Sequence, residues 1–390
     1  MAETERLGSR KRISIFVQYW SMTRTRIPLS TGAIAAFMIV LLAGGVGYYY
    51  ESTVGAGSTI PSSTNSSSSV GATIRNLTST SGHTRSIAIN PRTDILYYGY
   101  DGSNVVTAYN LTSNRIVASI QVSLANRTYF AQIMGIAVNP ATDMVYVVDS
   151  GGVTIIDGRN NSVVAAIELG GFPNGVAVNP STDKIYVTGT YTSEISVIDG
   201  RTNSLSSEIN LTKGASGIIV DPETDVIYIV NNTNSIVNNQ VVSRGRLWVV
   251  SGVNNTVLGS YQIGSYPEGL VVNPRSNTLY ISDRIDVNGS GLGGSTGGLT
   301  IIDLRTYRTV SNVIFHPESG DTGAVAIDPV TDLVYVASCN YGVQILNETA
   351  SMIPFLAPSR GCPSDLVVDP STHIAYVTEL LGNSIFSVYA

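Results

Sequence analysis

The sequence predicts an all-β fold, a seven-bladed β-propeller of four-stranded blades, and three observations carry that prediction. A phrase that reads Asn-Pro-Ser-Thr-Asp-Lys-Ile-Tyr at Asn179–Tyr186 recurs, lightly edited, seven times along the chain. The prolines of the copies, at 91, 140, 180, 222, 274, 329 and 370, are separated by 49, 40, 42, 52, 55 and 41 residues. A basic period near 40 with occasional insertions suits a four-stranded blade, not a helical repeat. Only 13 % of the residues are charged and 38 of 390 are glycine, which suits many short strands joined by tight turns.

Each unit divides into four strand signals. Over 175–210 these are the apolar run Gly175–Asn179, the alternating Lys184–Thr188, then Glu194–Asp199 and Ser204–Asn210. Proline fixes φ in the first turn, and Asn and Asp side chains cap its backbone; Asp199-Gly-Arg-Thr-Asn203 serves a second hairpin in the same way. The repeated carboxylates Asp143, Asp183, Asp225, Asp332, Asp157, Asp199 and Asp303 therefore read as turn caps. The seven repeated tyrosines read as packing between blades. The last unit ends after its third strand, at Asn383–Tyr389. At the other end, Ala72–Thr78 resembles the fourth-strand segment Ser207–Thr212. The N-terminal strand is thus expected to complete blade seven and close the ring, leaving no long unpaired edge.

Tyr186-Val-Thr-Gly189, Tyr376-Val-Thr-Glu379 and the Val197-Ile-Asp199 strand resemble the YVTN-type β-propeller repeats of archaeal and bacterial surface proteins. The resemblance spans about residues 71–390, and all seven units carry its Pro and Tyr, although none reads Tyr-Val-Thr-Asn throughout. It implies a cell-surface or surface-layer location and a binding role, with no shared chemistry.

The segments before the repeats are of a different kind. Residues 1–26 form a basic tail with Arg6, Arg10, Lys11, Arg12, Arg24 and Arg26. From Ile27 to Tyr50 run 24 residues without a charge, long enough to cross a bilayer as one helix. The excess of positive charge before this segment puts the N-terminus in the cytoplasm and everything after residue 50 outside the cell membrane. A secretory signal peptide with a weak cleavage site at Gly55-Ala-Gly57 is the competing reading, although its apolar core is normally shorter. Residues 51–70, almost all Ser, Thr, Gly, Asn and Val, read as a flexible tether spanning about 25 Å. The propeller occupies 71–390.

With the six basic and two acidic residues of the tail set aside, the chain holds 16 basic and 26 acidic residues, a net charge of −10. That balance argues against nucleic acid as a partner. Ten Asn-x-Ser/Thr sequons make candidates for glycosylation: Asn65, Asn76, Asn110, Asn126, Asn160, Asn210, Asn231, Asn254, Asn288 and Asn347. The two cysteines, Cys339 and Cys362, fall in loops on the same face of neighbouring blades, where an oxidising exterior permits a disulfide. Two independent buried thiols are the alternative.

Chemistry is sparse. His83, His316 and His373 are far apart, and no nucleophile elbow, P-loop or dinucleotide fingerprint occurs. Asp286, Asn288 and Ser290 have the layout of the first half of a calcium loop, but Gly297 stands where the bidentate Glu belongs. Calcium is the one metal with any sequence support, and no other cofactor is expected. Insertions gather at 123–134, 231–244, 283–298 and 315–322, all on the face opposite the uniform turns. Variable loops on one face of a repeat fold usually build its binding surface. Tyr129, Phe130, Arg244, Arg246, Tyr266 and Arg284 are the contact candidates there. The expectation is a non-enzymatic, membrane-anchored extracellular module that binds a protein or glycan, or forms part of a surface layer. An enzyme on the same scaffold, a lactonase-like hydrolase or a quinoprotein dehydrogenase, is the alternative.

Overall fold

A computed structural model describes residues 41–42, 45–46, 73–79, 83–122, 132–212, 214–237, 240–286, 295–315, 322–339, 341–347, 351–357, 362–380 and 384–389. The chain divides into two units, Met1–Thr64 and Asn65–Ala390. In the first, Leu41–Leu42 pairs with Gly45–Val46 as a short antiparallel ladder, so these four residues are extended where a membrane-crossing helix was expected. The rest of 27–50, the basic tail and the whole tether lie outside the described residues. Among the described residues no helix is long and apolar enough to cross a membrane.

The second unit is a ring of seven four-stranded antiparallel sheets. Blades one to six occupy 84–121, 133–168, 173–210, 217–263, 270–314 and 322–357 in chain order. Blade seven takes three strands from 363–389, and its fourth is Thr73–Ser79, paired with Ser384–Tyr389. The first strands of successive blades stand side by side around the axis, and the fourth strands form the rim.

Each sheet buries both faces against its neighbours, and one repeated tyrosine marks every interface. Tyr97, Tyr146, Tyr186, Tyr228, Tyr280, Tyr335 and Tyr376 each sit in a separate apolar cluster shared with the next blade. Burial pushes the Tyr97, Tyr335 and Tyr376 hydroxyls up to about 12, and nearby aspartates add to the shift. Filling out the clusters, Val and Ile alternate along the second and third strands, which accounts for the near-continuous apolar runs.

The repeated phrase does two jobs. In the Asn-Pro turn the anchor's side-chain oxygen accepts the backbone N–H two residues on, as Asn90 does from Arg92 and Asn139 from Ala141. Its fifth residue turns the chain in the left-handed region, with φ of 61° at Asp143, 54° at Asp183 and 53° at Asp225, which Asp and Asn tolerate better than most. These aspartates also reach across to the preceding blade. Asn90 Nδ2 donates to Asp143 at 2.9 Å, Asn139 to Asp183 at 2.6 Å, Asn179 to Asp225 at 2.6 Å and Asn273 to Asp332 at 2.8 Å. Between blades six and seven the same contact pairs Asp328 Oδ2 with His373 Nδ1 at 2.9 Å. The carboxylates are therefore bridges between blades as well as turn residues. The second hairpin does cap itself: Asp157, Asp199 and Asp303 accept from the backbone of Arg159, Arg201 and Arg305. Glycine is required between Asp199 and Arg201, because a Cβ on Gly200 would lie 2.4 Å from the Asp183 carboxylate.

Cys339, after the second strand of blade six, and Cys362, before the first strand of blade seven, are joined in a disulfide. Beside it lies the ring-closing seam. Ser364 Oγ donates to the Thr84 carbonyl at 2.7 Å, and Thr84 Oγ1 to the Glu379 carbonyl at 3.2 Å. Asp365 Oδ2 takes the Ile87 N–H at 3.0 Å.

Two predictions follow from this stitching. Asn139→Asp keeps the turn acceptor but sets a carboxylate against Asp183; it is expected to cost about 1–3 kcal/mol in denaturant unfolding, with part recovered by adding Asp183→Asn. A double variant no more stable than the single one would exclude a direct bridge. Replacing both cysteines by serine opens a cross-link spanning 23 residues. It should lower stability by roughly 3 kcal/mol under oxidising conditions and leave a reduced sample unchanged.

Candidate functional site

The two faces of the ring differ in construction. On one lie the uniform turns after first and third strands. On the other, second and third strands run five or six residues in most blades but twelve in blade four, Val226–Val237 with Gln240–Ser251. In blade five they run nine, Thr278–Asp286 with Ser295–Asp303. The expected loops at 231–244 and 283–298 are therefore largely ladder: the register continues from Asn231↔Arg246 to Val237↔Gln240, and from Asp283↔Gly298 to Asp286↔Ser295. Six extra residues at a strand rise carry blade four's hairpin about 20 Å beyond its neighbours' strand ends. The insertions at 123–131 and 316–321 lie outside the described residues, and with them Tyr129 and Phe130.

The connection from blade four to blade five binds the bases of the two hairpins together. Ser265 and Arg284 exchange both backbone hydrogen bonds, at 2.9 and 2.7 Å, and the Tyr266 N–H donates to Asn232 Oδ1 at 3.1 Å. Ser243 Oγ donates to the Tyr266 hydroxyl at 2.7 Å. The Arg284 guanidinium lies 4.7 Å from the centre of the Tyr266 ring, a cation–π pair. Two candidates thus come together, on a tyrosine that remains 40 % exposed. Arg244 is exposed on the same hairpin, in register with Thr233. Arg246 sits apart, on the face towards blade three, 5.7 Å from the Trp248 ring, and donates to Ser260 Oγ at 2.7 Å.

The sequence reading missed several residues here. Phe172 and Tyr191 form an edge-to-face pair, centroids 5.9 Å apart, at the loop end of blade three. Phe172 and Tyr266 share a signal: each precedes a proline that starts or leads into a first strand, and each has positive φ, 58° and 49°. Asp283 and Asn231 occupy the third place after the repeated tyrosine in their blades, and both are buried. For Asn231 this is a correction, since a side chain 1 % exposed between blades is closed to glycosylation of the folded chain. Among the other sequons Asn76, Asn160, Asn210 and Asn254 are exposed, and Asn110 and Asn347 are half-buried. Asn65, Asn126 and Asn288 lie outside the described residues.

The carboxyls with displaced titration are committed to structure. Asp283 Oδ2 accepts from Thr300 Oγ1 at 2.6 Å and from the Gly264 N–H, while Oδ1 has no partner; burial pushes the group up to about 7. Asp365, on the innermost strand of blade seven, is pushed by burial up to about 6, against the backbone bonds from Ile87 and Leu366 that favour its charged form. In the other blades this place is Ser86, Gly135, Gly175, Gly217, Gly269 and Ala324, so one carboxyl stands there and spans the closing seam. Asp286 ends a strand, paired with Ser295, and Asn288 and Ser290 lie outside the described residues. Among the described residues no group of three or more His, Cys, Asp or Glu could hold a metal ion.

Asp283 makes stability depend on pH. Its folded value near 7 exceeds the unfolded value near 4, so its contribution is full below about pH 4 and is lost as pH rises towards 7. Asp283→Asn, which keeps an acceptor for Thr300, should be free of that loss. The stability of the variant relative to wild type should therefore rise from pH 4 to pH 7, by at most about 4 kcal/mol. Parallel curves of melting temperature against pH would show that the carboxyl does not titrate there.

No family model matches the chain, and no curated protein matches it in sequence. Solved structures do match in fold. Hydrazine synthase of Kuenenia stuttgartiensis superposes with a TM-score of 0.69 at 16 % identity, over 80 % of this chain and 97 % of that one. U3-55K superposes with a TM-score of 0.66 at 12 % identity, over 81 % and 98 %. At such identities the likeness is one of fold: this chain is a seven-bladed β-propeller with four-stranded blades.

Proposed function

We propose that the chain is a non-enzymatic binding module whose ligand-facing surface is the hairpin face, centred on blades four and five. One observation carries the reading: two hairpins longer than the rest rise side by side, tied at the base by the Tyr266–Arg284 stack. Among the described residues the turns of the opposite face are short and uniform. The displaced carboxyls stand in different blades, Asp283 bonded to Thr300 within blade five and Asp365 to Ile87 across the closing seam, which favours binding over acid–base chemistry. The YVTN-like phrases and the uncharged run 27–50 support placement at the cell surface, on a single membrane segment with the propeller outside. The disulfide supports an oxidising exterior. The partner class in this reading is an extracellular protein or glycan.

Replacing 233–244 and 285–296 by two-residue turns tests it. The cut lies above Asn232, Gly245, Arg284 and Gly297, so the base of each ladder is kept. The melting temperature should stay within a few degrees of wild type, while binding to cells or to surface-layer extract is lost. Undiminished binding by the doubly shortened chain would move the site elsewhere.

A further inference from the structure

We infer that Asn160 and Asn254, in the turns after the third strands of blades two and four, are acceptor sites for N-linked glycans. The inference deepens the reading above and rests on its exterior placement. Exposure alone leaves four described sequons open, at Asn76, Asn160, Asn210 and Asn254, and local geometry separates two of them from the rest.

The two turns are built alike. Each sequon has an asparagine in the left-handed region at its middle place, Asn161 with φ of 58° and Asn255 with φ of 59°. That bend folds the third residue back onto the first, a local arrangement that asparagine and the hydroxyl residues favour. Ser162 donates to Asn160 Oδ1 from its hydroxyl at 2.7 Å and from its backbone N–H at 3.0 Å. Thr256 donates to Asn254 Oδ1 in the same way, at 2.8 and 3.3 Å. Each amide oxygen is thus bonded twice. Each Nδ2 makes no hydrogen bond among the described residues, and both asparagines are exposed. The preceding blade holds the middle residues: the Tyr97 hydroxyl donates to Asn161 Oδ1 at 3.3 Å, and Asn255 Nδ2 donates to Ser207 Oγ at 3.0 Å.

A carboxamide nitrogen is a poor nucleophile because its lone pair is shared with the carbonyl. Hydrogen bonds to the oxygen draw charge towards it and make the amide protons easier to remove. The co-reactant is a sugar joined through phosphate to a membrane lipid, delivered by a transferase. Nδ2 forms a bond to the anomeric carbon as the bond from that carbon to the phosphate oxygen breaks. The phosphate leaves with the electron pair, and one amide proton passes to a base of the transferase. Three other sequons lack the construction. At Asn110 the hydroxyl of Thr112 donates to Asp94 Oδ2 at 2.8 Å instead, and the Leu111 N–H donates to the Asp94 carbonyl at 2.8 Å. Asn76 and Asn210 are strand residues, in register with Phe386 and Glu194, and their sequons contain no such bend.

The test is glycopeptide mapping by mass spectrometry of the full chain produced in its own host cell, beside labelling of intact cells with an antibody to the propeller. Glycan on Asn160 and Asn254, with Asn110 bare, is expected. Ser162→Ala keeps the backbone bond to Asn160 Oδ1 and removes the hydroxyl. It should lose the glycan at Asn160 at an unchanged melting temperature, whereas Ser162→Thr should keep it. A bare asparagine at either position, equal occupancy at Asn110, or indifference to Ser162→Ala would each overturn the assignment. Labelled cells with both asparagines bare would refute the glycan sites alone. Unlabelled cells with both bare would refute the exterior placement and the glycan sites with it.

Discussion

Everything in this fold depends on one constraint: each sheet is apolar on both faces, so no blade is stable without a neighbour on either side. Seven clusters, each built around a repeated tyrosine, satisfy that requirement only if the ring closes. Closure comes from Thr73–Ser79, whose pairing with Ser384–Tyr389 completes the sheet of blade seven.

The polar seam follows the same logic in different chemistry. Where an anchor is asparagine, the next blade presents aspartate at the fifth position; where the anchor is Asp328, the next blade presents His373. Donor and acceptor are exchanged together. At Asp221 the fifth residue of blade five is likewise changed, to Asn277. The closing seam alone sets an aspartate anchor, Asp369, before a blade whose fifth residue is also aspartate, Asp94. That seam has other fastenings: Asp365 on Ile87, Ser364 on Thr84, and the Cys339–Cys362 disulfide one blade back. The supplementary bonds are thus concentrated around the place where the chain does not bind itself covalently.

The fold was legible because period and pattern are additive signals: seven copies of Asn-Pro…Tyr, spaced near 40 residues, leave few architectures to choose from. The hairpin face was legible in place but not in form. Asn231-Asn-Thr-Asn-Ser235 is rich in loop formers, yet it continues a strand, because the partner segment Val242–Arg246 supplies a ladder for it and propensity yields to pairing. The aspartates were read as caps since a cap is a local arrangement. Their bridges join residues 44 to 59 apart, a separation over which sequence alone carries no geometric information. Tyr266 and Arg284 were each selectable by type, whereas their stacking follows from the backbone exchange between Ser265 and Arg284. Asn231 was misread as a glycan acceptor because a sequon says nothing about which face of a strand its asparagine takes.

The position of Asn231 also explains why polar groups collect where they do. Along every second strand the tyrosine and the two residues after it are locked into the interblade core, and the third residue after it is still buried at Asn231, Asp283, Ser338 and Glu379. That place is held by Tyr100, Asp149, Gly189, Asn231, Asp283, Ser338 and Glu379, the most varied set in the repeat. In blade seven Ser384 Oγ bonds the Glu379 carboxylate, and in blade five Thr300 and Gly264 satisfy one oxygen of Asp283. In blade four Arg246 stands across the sheet from Asn231, whose buried amide has no partner. The invariant part of the repeat builds the packed wall, and the first residue free of that duty sets the polar chemistry of each interblade seam.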